Sequence, residues 1–142
     1  LLSENGSSTL LHELAHVLAP VSAAATADWI DEGLAEYLAL RVLRDSGSIS
    51  ARRFASSLDG YRRRGRGVER LAATQASGAI MARAVAVFAD LDAELQACSD
   101  GQQDIYTLAR QLMDSSVPVD GHGLRAMATR LCSRTLRRSN LP

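Results

Sequence analysis

The segment from Ala79 to Phe88 constrains the fold most, because it is apolar almost all round and Arg83 alone carries charge within it. A helix with apolar residues on every side has no solvent face, so it belongs at the centre of a bundle. The run extends to Leu91, well short of the roughly twenty residues that span a bilayer. At 142 residues, the chain can bury one core around such a helix. Aromatics are scarce, alanine is abundant and no stretch alternates polar with apolar, which favours helix over sheet. The chain reads as all-α, a compact bundle of about six helices forming a single domain over 1–142.

Local signals place the other elements. Ser7 or Ser8 caps a helix through about Ala19, with Leu10, Leu11, Leu14, Val17 and Leu18 on its apolar face. Pro20 and a small-residue stretch end it. Asp28 caps a second helix to about Asp45, with Asp31 in its first turn where the helix dipole favours acid. Ser50 opens a third, which fades into the arginine-rich segment 61–67. The central helix spans about Ala76 to Gln96, a short helix follows a cap at Asp104, and a last one runs near Gly123 to Arg134.

Charge excludes some function classes. The formal net charge is zero, so no global field argues for nucleic acid or an anionic membrane. The clusters Arg62 to Arg64 with Arg66, and Arg134 with Arg137 and Arg138, lack interleaved aromatics and read as solvated helix ends. Cys98 and Cys132 can pair in an oxidising compartment, but two cysteines in a mostly helical chain read first as buried free thiols. No signal peptide is visible, and the compartment stays open.

The chemistry sits near the start. His12 and His16 are four apart, so on a helix they lie about 40° apart in azimuth and one turn along the axis. Two imidazoles so placed can direct one nitrogen each at a single point. Zinc takes about four ligands, and a hydrolytic site keeps one place for water. Glu13 adjoins the first imidazole, close enough to take a proton from water attacking a carbonyl and return it to a leaving amine. The next helix offers Glu32 as a third ligand. Glu36 lies one turn further on the same face, placed to orient a ligating imidazole.

HELAH (His12 to His16) followed by WIDEGLAEY (Trp29 to Tyr37) resembles the gluzincin metallopeptidases, especially the glycyl aminopeptidase-like, M1 aminopeptidase-like and peptidase MA-like families. The resemblance implies the helical subdomain of a zinc peptidase acting on peptides or proteins. In it Zn2+ is held by His12, His16 and Glu32, and Glu13 is the general base. It also implies a β-rich portion ahead of the HExxH helix, which this chain does not contain, and a tyrosine three residues before the Gly-Ala pair. That tyrosine position is Gln75 here. Gln75, Tyr61 and His122, the last expected in a loop, are the candidates to donate to a developing oxyanion. Trp29 reads as packing, and Gly33 as the point where the two ligand-bearing helices approach. The rival reading is a catalytically weak or inactive zinc-binding domain with a structural or interaction role.

Overall fold

In a computed structural model the described residues are 7–72 and 74–132. They form six helices: α1 (Thr9–Leu18), α2 (Asp28–Asp45), α3 (Ala51–Arg64), α4 (Gly78–Cys98), α5 (Ile105–Met113) and α6 (Gly121–Cys132). The all-α expectation holds. No strand forms among the described residues; an isolated bridge joins Ala23 to Val119 and ties the α1–α2 loop to the segment before α6.

The central helix is the one the apolar run marks. α4 buries Ala82, Ala84 to Ala89, Leu91 and Leu95, and α2, α3, α5 and α6 pack around it. Against α2 the approach is close: a Cβ added at Gly33 would stand 2.5 Å from Ala84 Cβ. Gly33 therefore serves the α2–α4 contact and not, as expected, the approach of the two ligand-bearing helices. Trp29 packs as expected, its ring 6.2 Å from that of Phe88.

Caps behave as local signals when the side chain has no better partner. Ser8, Ser50 and Asp104 accept from Leu11 N, Arg53 N and Thr107 N. Asp28 does not cap. Ala27 holds that position, and the Asp28 carboxylate accepts from Ala76 N at 2.6 Å, pinning the loop before α4 to the start of α2. Asp120 accepts from Gly123 N, so α6 begins earlier than expected and the bend before it is shorter.

α1 is the outlier. It lies on α2 but contains no fully buried residue, and its stripe of Leu10, Leu14, Val17 and Leu18 is exposed, Val17 by 74 %. At the far end of α4, Cys98 and Cys132 are joined by a disulfide to α6, against the expectation of free thiols. Arg134, Arg137 and Arg138 lie outside the described residues.

Candidate metal centre

α1 carries His12 and His16 on the face it turns to α2, and α2 carries Asp31, Glu32 and Glu36 opposite them. His12 Nδ1 is 2.9 Å from Glu36 Oε2, and His16 Nδ1 is 3.3 Å from Asp31 Oδ2. Glu36 also accepts a short hydrogen bond from the Tyr61 hydroxyl. Burial works to raise the Glu36 pKa, but the hydrogen bonds from His12 and Tyr61 outweigh it and hold the carboxyl below its ordinary value. An ionised carboxylate only accepts, so Nδ1 of His12 carries the proton.

That assignment turns the other ring nitrogens toward one point. His12 Nε2 and His16 Nε2 are 3.1 Å apart, with Glu32 Oε2 3.3 Å from the first and Glu32 Oε1 3.6 Å from the second. One ligand atom from each of the three residues lies within 4.8 Å of the others, the one such group of histidines, cysteines and carboxylates among the described residues. A tetrahedral zinc with bonds of about 2.0 to 2.1 Å has ligand-to-ligand edges of about 3.3 Å. The donor set fits a zinc ion in kind and in spacing. Without a cation or a proton between them, two bare imidazole lone pairs and a carboxylate repel at these distances.

The electrostatics agree with the geometry. The His12 pKa lies above its ordinary value: the hydrogen bond to Glu36 raises it most, burial opposes, and the charges of Glu36, Glu32 and Glu13 add to the rise. The pocket is thus rich in negative charge, which a proton or a divalent cation offsets. His12 and the Glu36 side chain are 12 % and 9 % exposed, whereas Glu32 and His16 remain open to solvent by about a quarter.

Glu13 lies beside His12 on α1, exposed, and the two line a cavity of about 430 Å3 with Thr9, Arg64, Gly78 and Met81. Tyr61 borders the same cavity, but its hydroxyl is committed to Glu36; burial, then that hydrogen bond, push its pKa far up. Gln75 is exposed in the loop before α4 and is not among the residues lining the cavity. His122 occupies the first turn of α6 rather than a loop, and lines a different cavity with Trp29, Arg70 and Leu71. His12, His16, Glu32, Glu36, Glu13 and Tyr61 are therefore brought together; Gln75 and His122 are not. Asp31 escaped the sequence reading as a partner of His16. Its signal was available, since it immediately precedes Glu32 on the same helical turn.

Comparison with known protein families, curated proteins and solved structures returns no match for this chain. Among the described residues no helix is long and apolar enough to cross a membrane.

Proposed function

We propose that the chain is a zinc-dependent peptidase domain of gluzincin type, hydrolysing peptide bonds with His12, His16 and Glu32 as metal ligands and Glu13 as general base. The observation that carries this reading is the convergence of two Nε2 atoms and one carboxylate at tetrahedral spacing while both Nδ1 atoms face carboxylates. When bound, zinc supplies Lewis acidity toward water and toward a carbonyl oxygen. The chain's own residues do the rest. Glu36 fixes the ring and tautomer of His12, and Tyr61 fixes Glu36. Glu13, exposed at the cavity, takes the proton of the attacking water and returns it to the leaving amine.

One observation favours a second reading, a zinc tie of structural role. α1 buries no residue fully, so a metal shared by α1 and α2 would be its main anchor. In addition, the phenol nearest Glu13 is committed to Glu36, and Gln75 does not reach the cavity. Peptide hydrolysis by zinc-loaded protein, compared with zinc-loaded Glu13→Gln, separates the two. Turnover that falls at least about a hundredfold with zinc retained supports the peptidase. No peptide turnover in the zinc-loaded wild type, with α1 melting on chelation, supports the structural tie.

A further inference from the structure

The cavity beside Glu13 holds one guanidinium that the hydrolytic chemistry leaves unused. Arg64, the last residue of α3, lines it, and its guanidinium carbon stands 4.4 Å from the centroid of the Tyr61 ring. Tyr61 is itself 6 % exposed and bonded to Glu36, so the stack holds an otherwise mobile head group over a fixed platform. Glu36 senses Arg64 through its charge, while the two Glu36 oxygens go to His12 and Tyr61. Arg64 acts on Glu36 through charge alone, whereas His12 and Tyr61 act on it through hydrogen bonds.

A second element adds to the same sign. Gly78 begins α4 at this cavity, the Ser77 side chain makes no cap hydrogen bond there, and among the described residues no neighbouring element comes within 4 Å of where a Gly78 Cβ would be. The positive end of a long helix thus opens onto the cavity next to Arg64. On its other side Arg64 borders a groove along α3 with Arg52, Arg53 and Arg63. Four arginines thus stand together along that groove in a chain of zero net charge, whereas the cavity itself holds Arg64 beside the carboxylates of Glu13 and Glu36. Met81 and Ala82 give the cavity an apolar side.

We propose that Arg64 is a carboxylate anchor: the peptide that reaches Glu13 carries a carboxylate, which pairs with Arg64 in front of the α4 N-terminus. The carboxylate belongs either to the peptide C-terminus or to an Asp or Glu side chain. This rests on the peptidase reading for its catalytic half and on charge and shape for its binding half. Planar two-point pairing with a carboxylate is what a guanidinium does better than an ammonium.

The test uses zinc-loaded protein and matched peptides, each as free acid and C-terminal amide, and each with a Glu or a Gln side chain. The pair that discriminates identifies the source of the carboxylate. Wild type should favour the carboxylate-bearing member by about ten- to a hundredfold in kcat/KM, mostly through KM. Arg64→Gln should bring that ratio close to one, and Arg64→Lys should keep part of it. If Arg64 merely supports Glu36, Arg64→Gln instead weakens zinc binding and slows acid and amide alike, which overturns the proposal. A second arm titrates the same peptides into zinc-loaded Glu13→Gln by calorimetry. Tighter binding of the acid there upholds the anchor even if no peptide is turned over, in which case the peptidase reading alone fails. Turnover in the wild type without any acid preference overturns the anchor alone.

Discussion

Two carboxylates are buried among the described residues, Glu36 on α2 and Asp92 on α4, and each accepts from a tyrosine hydroxyl on another helix. Asp92 receives Tyr37 O–H at 2.6 Å, Gln96 Nε2 at 2.8 Å, Ile105 N at 3.0 Å and a charge-assisted bond from Arg41. Four donors close its shell, and three other segments, α2, α4's next turn and the start of α5, are fastened to one point. Glu36 receives two, Tyr61 and His12, and the second is a ring whose other nitrogen faces His16 and Glu32. The closed network has nothing left to offer a ligand. The open one passes its negative charge through an imidazole to a point that a cation fits. The same pair of residue types thus works as a rivet in one place and a lever in the other, and what differs is where the last donor leads.

The pKa directions follow that division. Burial, then Asp92, push the Tyr37 hydroxyl far up, and Arg41 is held more firmly charged because the attraction of Asp92 and Tyr37 outweighs its burial. Both keep their protons throughout the working range. His12 is held above its ordinary pKa, its hydrogen bond to Glu36 acting most strongly.

The largest effect should come from the closed network. Asp92→Ala leaves the Tyr37 hydroxyl and Ile105 N–H without an acceptor in the interior and Arg41 with Asp45 alone, and should cost about 3 to 5 kcal/mol of unfolding free energy. Urea denaturation measures it, and zinc affinity of the folded fraction should not change. Equal loss of zinc would mean that the two networks are coupled through α2.

Reducing the Cys98–Cys132 disulfide frees a loop with a sequence separation of 34 residues at the Asp92 end of α4. Chain entropy puts the loss at about 3 to 4 kcal/mol. A thermal melt in reductant should show it, again with zinc affinity intact.

Glu36→Gln should reverse the pattern. The amide can still accept from His12, but it carries no charge, so zinc affinity should fall by about ten- to a hundredfold. Competition with a chromophoric chelator reads this directly, and an unchanged affinity would remove Glu36 from the centre.

The smallest and sharpest contrast is a pair of deleted hydroxyls. Tyr37→Phe and Tyr61→Phe should each destabilise the fold by about 1 to 2 kcal/mol, since each leaves a buried carboxylate short of a donor. Only Tyr61→Phe should also weaken zinc binding, by several-fold.

Much of this could be read along the chain, and the rest could not, for reasons of range. The run from Ala79 announced the central helix because a helix apolar on all sides has one place to go. Ser8, Ser50 and Asp104 were readable as caps because a cap involves three neighbouring residues. Asp28 carries the same signal and was misread, since its partner Ala76 N comes from 48 residues away. His12, His16, Glu32 and Glu36 were legible through helical spacing within two adjacent helices. Tyr61 on Glu36 and Ala84 against Gly33 were not, because side-chain pairing between distant helices leaves no periodic trace. Cys98 and Cys132 likewise give no spacing clue that they meet. The apolar stripe of α1 was plain in the sequence, but periodicity tells that a face is apolar and not that it is covered.

On the proposed reading, the Nε2 atoms of His12 and His16 and the carboxylate of Glu32 form a single metal centre. Titration of metal-free protein with Zn2+ by calorimetry, beside His16→Ala and Glu32→Gln, tests it most directly. The wild type should take up close to one zinc per chain, with the heat of binding lost in His16→Ala and much weakened in Glu32→Gln. A wild type that takes up no zinc, or a His16→Ala protein that binds it as well as the wild type, would rule that centre out.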